Sequence, residues 1–348
     1  MHQKLIPVAG NDYLGLAVDM RLKEVMAQAV LQSSISPMAS RFSFGLTDMH
    51  KQLEKDLASF FEVEKAVVMG AAYHGGPAFF HAARLQGYDL VLCDENCHAN
   101  IFLGMRGAEL EYQTYKHLNN DHLADLLDAT KGRKVVVATD GLYGISGEIP
   151  DLKEIHRLCT LSGAQLFIDD AHGVFANGET GKGIAEFCGL APNDAVILGS
   201  MSKALGCSGG FIVGSSEWIK GCLNSHICRG TAIPSPAIAA ACVKSLKIIQ
   251  AEPDRQAQLH QNAQTMREAA QRAGIAVAVD NSPVVALSMK DEFQAAGLSQ
   301  AFAEAGLSVP YFKYPSEPRH NLLRSVARAI HTPQELKTYG DVLHEFTS

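Results

Sequence analysis

Gln165-Leu166-Phe167-Ile168-Asp169-Asp170-Ala171-His172-Gly173 is an apolar run that stops abruptly in two acids, with a histidine three residues after the first. It reads as a buried strand running straight into a polar turn. Comparable short runs stand at Ala66–Met69, Leu90–Cys93, Lys134–Thr139, Ala195–Leu198 and Gly210–Val213. Amphipathic stretches separate them, among them His50–Phe61, His122–Ala129 and Leu152–Leu161. Strands alternating with helices imply βαβ crossovers, hence an α/β fold with a mainly parallel sheet covered by helices on both faces. Ligands of such sheets sit at the carboxyl ends of the strands, so the turn after Ile168 is where chemistry is expected.

The chain has 348 residues, enough for a large domain plus a smaller one. Pro236–Ala251 reads as a long helix with a small-apolar face. After it the composition turns Gln/Arg-rich over Asp254–Ala273, then strand-like at Ile275–Val279 and Val284–Ser288. Helices around Glu292–Ala305 and from Thr332 complete an α+β tail. The expected division is an N-terminal arm over 1–30, a cofactor-binding large domain over 31–245 and a C-terminal small domain over 246–348. The formal charge of −7 and the lack of a Lys/Arg block exclude a nucleic-acid footprint. An anionic cofactor must then be held by local donors. No apolar run is long enough for a membrane span, and the N-terminus lacks a secretion pattern. The eight scattered cysteines show no zinc-like spacing and read as free thiols of a cytoplasmic protein.

A carboxylate at a strand's carboxyl end points into the ligand crevice, where an unpaired charge is costly and a cationic ring nitrogen relieves the cost. The structural alternative is a pair of acids capping the next helix, with His172 on the surface. A second segment, Ala195-Val196-Ile197-Leu198-Gly199-Ser200-Met201-Ser202-Lys203-Ala204-Leu205-Gly206, again ends a strand in a small polar turn. Ser200 and Ser202 can donate to a phosphate, and Lys203 is placed to attack a carbonyl. A lysine desolvated near other cations becomes nucleophile and base. The alternative, a solvated surface lysine, is weakened by the glycines crowding it. Together the segments have one economical explanation, the cofactor pyridoxal 5'-phosphate (PLP). Asp169 keeps its ring nitrogen protonated, His172 bonds its ring hydroxyl, and Lys203 forms the Schiff base. Ala71-Ala72-Tyr73-His74-Gly75-Gly76 offers backbone N–H groups at a helix start for the phosphate.

Five further motifs carry a resemblance. They are Asn11-Asp12-Tyr13-Leu14-Gly15-Leu16; Met38-Ala39-Ser40-Arg41-Phe42 with Gly45–His50; Asp94-Glu95-Asn96-Cys97-His98-Ala99-Asn100; Thr139-Asp140-Gly141-Leu142-Tyr143-Gly144-Ile145-Ser146-Gly147; and Leu323-Arg324 with Ala329-Ile330-His331-Thr332. With them the chain resembles the α-oxoamine synthase family of fold-type I PLP-dependent enzymes from Asn11 to about Leu336. That family includes 8-amino-7-oxononanoate synthase, 2-amino-3-ketobutyrate CoA ligase, 5-aminolevulinate synthase and serine palmitoyltransferase. The resemblance implies that His98 stacks on the cofactor ring and that Ala72 and Tyr73 lie at its phosphate. It implies that Asn11 and Arg324 grip the amino-acid carboxylate. It also implies that Thr231 reaches the phosphate of a neighbouring subunit, so that the active site lies across a homodimer interface.

The reaction implied is a PLP-dependent acyl transfer. A small amino acid displaces Lys203, Lys203 removes the Cα proton, and the carbanion attacks an acyl thioester. Loss of the thiol and of CO2 gives an α-oxoamine, with His98, His172 and Asp169 assisting. Gly144 and Ser146 replace the family's usual Ser and Asp, and Asn100 replaces a Ser. Ser33-Ser34-Ile35-Ser36-Pro37-Met38 replaces its Gly-rich loop. A shorter segment than usual precedes Asn11, which leaves acyl-CoA and acyl-carrier protein both open as thioester. Transamination, aldol cleavage or plain decarboxylation on the same fold is the first alternative; a non-catalytic PLP-binding partner subunit is the second.

Overall fold

The computed structural model describes residues 5–278, 281–313 and 321–348. Seven strands form the central sheet: β1 (Lys65–Met69), β2 (Leu90–Asp94), β3 (Glu111–Tyr115), β4 (Val135–Asp140), β5 (Gln165–Asp169), β6 (Val196–Ser200) and β7 (Gly210–Gly214). Their order across the sheet is β1-β7-β6-β5-β4-β2-β3. Pairings are parallel from β6 to β3, whereas β7 runs antiparallel to both of its neighbours. The mainly parallel α/β expectation therefore holds.

Alternate residues of β4 explain the layering. Val136 and Ala138 face a core shared with Phe79, Phe80, Phe167 and Trp218. Val135 and Val137 face the opposite core, with Leu123, Leu152 and Ile155. Both faces of the strand are dry, as a central parallel strand requires. The strand β3 was not expected from sequence, because Glu111-Tyr112-Gln113-Thr114-Tyr115 lacks an apolar run. It is the sheet edge and, apart from Tyr115, is largely solvated, so polar residues suit it.

Beyond the sheet, Pro236–Ala251 runs unbroken through residue 245 and packs along Met20–Gln32. Its buried face belongs to a core that joins Val68 and Phe211 to Leu298, Phe302 and Leu323. The C-terminal part contains an antiparallel pair, β8 (Val284–Ser288) with β9 (Leu322–Val326). The expected strand Ile275–Val279 contributes one isolated bridge, Ala276 with Ser288, and Val279 lies outside the described residues. The final helix, Pro333–Thr347, starts in a capping box in which Thr332 and Glu335 satisfy each other's backbone N–H groups. The start of the chain is tied to this part: Ile6–Pro7 pairs in parallel with Leu307–Ser308, and Val326 N donates to Val8 O at 2.8 Å.

Candidate active site

Because β1, β2, β4, β5 and β6 point the same way, the turns after them converge on one edge of the sheet. There a cavity of about 260 Å³ is lined by Asn11, Ala72, Tyr73, His98, Asp169, His172, Lys203 and Arg324. Asn100, His117, Asp140, Tyr143 and Gly144 also contribute to its wall. Ser200, Ser202 and Thr231 do not line it. The two serine hydroxyls lie 2.9 Å apart, and the Thr231 hydroxyl donates to Ile227 O of its own helix at 2.7 Å.

The paired acids after β5 divide their roles. Asp169 Oδ2 accepts from Asn100 Nδ2 at 2.8 Å and its Oδ1 from Ala171 N at 3.2 Å. Among the described residues Asp169 forms no ion pair, although it is only 5% exposed. A buried carboxylate on a cavity wall, bonded only to neutral donors, suits a cationic N–H supplied by a ligand. Asp170 turns away, and its Oδ2 accepts from Ile184 N, at the start of Ile184–Phe187, at 2.7 Å. The helix-capping alternative is thus true of Asp170 alone. Burial pushes the Asp170 carboxyl well above the usual carboxylate range.

Burial, and then the nearby Arg324 cation, pull the Lys203 amine down to about 8 against the opposing pull of Asp169. At neutral pH a usable share of such an amine is uncharged. His172 lies well below its ordinary range, first through burial and then through the cations of Lys203 and Arg324. Its neutral ring is held at Nδ1 by the Tyr13 hydroxyl at 2.6 Å. Burial raises that hydroxyl to about 12, with Arg324 acting in the opposite sense. His98 caps the helix Ala99–Gly107 and meets the Tyr73 ring edge to face, with centroids 5.7 Å apart.

Arg324 sits in the middle of β9, opposite Ala286, and is 8% exposed. Its Nη2 donates to Asn11 Oδ1 at 2.7 Å, its Nη1 to Ala9 O at 3.0 Å and its Nε to Gly144 O at 2.5 Å. The two residues expected to share a carboxylate are therefore in direct contact. Gly144 has a second reason to lack a side chain: a Cβ there would lie 2.2 Å from His172 Nε2. The departure noted at Gly144 is thus matched by an imidazole occupying the space.

Sequence reading passed over several wall residues. Asp140 accepts from His98 N at 3.1 Å, and burial followed by the Asp169 charge raises its carboxyl well above the usual range. His117 lies between Asp94 at 2.8 Å and Glu148 at 3.3 Å. Asp140, Tyr13 and Tyr143 stood within quoted motifs. Nothing around His117 in sequence announces its role, since both acids that hold it are remote along the chain.

The donor set fits PLP: the buried Asp169 carboxylate held by neutral donors, a desolvated lysine amine, a neutral imidazole and an aromatic flank face one cavity. These features and the sheet order define a fold-type I PLP-dependent transferase. The family described as Aminotransferase class I and II matches residues 3–343. The 8-amino-7-oxononanoate synthase of Symbiobacterium thermophilum is 32% identical over 342 residues, spanning 96% of this chain and 86% of that protein. A serine palmitoyltransferase from S. paucimobilis, solved with bound PLP and myriocin, superposes with a TM-score of 0.93 at 25% identity, covering 98% of this chain and 87% of that one. An 8-amino-7-oxononanoate synthase from Francisella tularensis gives a TM-score of 0.82 at 21% identity over 98% and 97% of the two chains, a likeness of fold. The chain belongs to the aminotransferase class I and II family, and within it to the α-oxoamine synthases, PLP-dependent acyltransferases that join an amino acid to an acyl thioester.

Proposed function

We propose that the chain makes 8-amino-7-oxononanoate or a close analogue. The product named for several relatives supports a choice of substrates by carbon count. The amine-bearing carbon and its methyl come from alanine after loss of CO2. The remaining carbons come from a linear acyl thioester ending in a second carboxylate. The observation that carries the reading is the convergence of Lys203, Asp169, His98 and His172 in one cavity with the bonded pair Asn11–Arg324.

Lys203 would hold the PLP aldehyde carbon, Asp169 its ring nitrogen, and His172 its ring hydroxyl through Nε2. His98 would cover one face. Ala72 and Tyr73, with Ser200 and Ser202, would take the phosphate. When bound, PLP supplies the electron sink that makes the Cα proton removable. Asn11 and Arg324 orient the alanine carboxylate so that the Cα–H bond faces the amine of Lys203. Lys203, once displaced, is uncharged often enough to take that proton. Acyl carbon and Cα then join, the C–S bond breaks to release a thiol, and CO2 leaves. A proton is returned to Cα from the side of Lys203.

The assembly we propose is a homodimer. Leu31, Ile35, Met38 and Phe44 are 87%, 77%, 71% and 72% exposed, a concentration of apolar surface that a second copy would cover. Thr231, turned away from its own cavity, would serve the partner's phosphate. We place the protein in the cytoplasm, since its eight cysteines are unpaired and, among the described residues, no helix is long and apolar enough to cross a membrane. The division into units 31–245 and 246–348 is kept as part of this proposal.

The test is incubation of the PLP-loaded enzyme with alanine and a seven-carbon ω-carboxyacyl thioester, on CoA and on carrier protein, with the product read by mass spectrometry. Release of CO2 and thiol in equal amounts, dependent on both substrates, is expected. Turnover of alanine without thioester would sink the reading.

A further inference from the structure

Asn100 is a buried polar side chain of the cleft to which the preceding roles give no task. It is 1% exposed and stands at the second position of Ala99–Gly107, two residues after His98. Its backbone N–H donates to His98 Nδ1 at 3.4 Å, and its side-chain Nδ2 to Asp169 Oδ2 at 2.8 Å. The reverse orientation of the amide would set two acceptor oxygens against each other, so the nitrogen faces the carboxylate. Among the described residues the Asn100 Oδ1 atom has no hydrogen-bond partner.

The backbone beneath this side chain has little room to move. A Cβ on Gly76 would lie 2.4 Å from Asn100 O, so Gly75–Leu85 and Ala99–Gly107 meet backbone to backbone at that point. His98 N is meanwhile bonded to Asp140 Oδ1. One residue on a fixed backbone therefore touches both the imidazole and the carboxylate that the cofactor ring would meet.

We propose that Asn100 is a positioning residue which sets His98 and Asp169 relative to each other before the cofactor arrives. Its amide holds one oxygen of Asp169, leaving the carboxylate plane fixed and its charge supported, while its main chain orients the His98 ring. A hydrogen bond to an ionised carboxylate in a dry site is among the stronger ones, and removing it also leaves that charge less well satisfied. The inference rests on the PLP reading of the cleft.

Apoprotein of the wild type and of Asn100→Ala, Asn100→Ser and Asn100→Asp is titrated with PLP. Dissociation constant, pH dependence of the bound-cofactor absorbance and apoprotein melting temperature are measured. Asn100→Ala is expected to weaken PLP binding on the order of ten- to a hundredfold and to move the pH midpoint of the absorbance. Apoprotein melting should fall as well, as loss of a buried hydrogen bond requires, but a purely structural loss would leave the pH midpoint of the absorbance in place. Asn100→Ser, which keeps a donor on a shorter arm, should recover part of the affinity. Asn100→Asp keeps the shape but puts a second carboxyl against Asp169, so its PLP affinity should fall further as pH rises. If Asn100→Ala fails to fold, the isosteric Asn100→Asp decides: wild-type affinity with an unchanged pH midpoint overturns the role. The same result in a folded Asn100→Ala does so equally. A wild type that binds no PLP through Lys203 overturns the cofactor reading itself, an outcome distinct from a tight wild type with equally tight variants.

Discussion

The hydroxyl of Tyr13 lies 2.6 Å from Nδ1 of His172, and the two residues are brought together from positions far apart in the chain. With His172 held neutral and Tyr13 held protonated, the contact is a phenol donating to an imidazole nitrogen, which leaves the proton of the ring on Nε2.

Replacing Tyr13 by Phe removes that donor and leaves a buried ring nitrogen unsatisfied. A loss of about 1–3 kcal/mol in stability is expected, read from denaturant unfolding of the apoprotein. Turnover should fall, with the loss constant between pH 6 and 9, because neither partner changes charge there. A loss confined to one end of that range would contradict the assignment.

Lys203→Ala should abolish borohydride trapping of PLP and reduce turnover by about 10²–10⁴-fold, the scale of a lost general base. Its counterpart is a stability effect. The amine lies at about 8 when folded, against 10.5 ordinarily. Between those values the unfolded chain binds the extra proton, so stability of the wild-type apoprotein should rise with pH across that window. Lys203→Met should lose this slope, as melting from pH 7.5 to 10.5 will reveal.

His117 runs the opposite way. Burial alone would lower it, but the bonds to Asp94 and Glu148 outweigh burial and raise it to about 9. The folded chain therefore holds a proton that the unfolded chain has released. The resulting stability is complete below the ordinary value near 6.5 and is lost as pH climbs through 9. His117→Gln should flatten the melting temperature over pH 6.5–9 relative to wild type.

Gly144→Ala forces a methyl group into His172. A cost of about 1–3 kcal/mol is expected, typical of overpacking. The same change in a His172→Ala background should cost little, so a double-mutant cycle of unfolding energies identifies the clash. Additive costs would show that His172 is not what Gly144 accommodates.

Arg324→Lys removes the planar fork that serves Asn11, Gly144 and Ala9 together. The KM for the amino acid should rise at least tenfold while PLP affinity stays near wild type. Equal loss of both would place Arg324 in the cofactor's support instead.

Much of the site was legible because apolar runs end where the chemistry begins. Asp169, Lys203 and His98 each follow a recognisable strand, so the sheet edge that gathers them could be foreseen. Arg324 was found by resemblance, since Leu322–Val326 is short and carries a charge at its centre. Its burial depends on oxygens contributed by segments that sequence proximity does not connect. Asn100 looked like a departure at one position; only the approach of Ala99–Gly107 to β5 reveals its hold on Asp169. The pairing of Gly144 with His172 was equally hidden, because the absence of a side chain has meaning only when its neighbour is known.

The oxygens around Arg324 come from the chain's first dozen residues and from the loop after β4, while the arginine itself belongs to the C-terminal pair of strands. The cofactor's expected anchors, Thr231 apart, stand by contrast on the central sheet or in the turns beside it. The opening residues thus work as a stitch between two regions of the fold. Trimming or tagging the chain near Ala9 should leave a yellow, PLP-loaded protein that has lost its grip on the amino acid. Cofactor capture and substrate capture become separable by surgery at one end of the polypeptide.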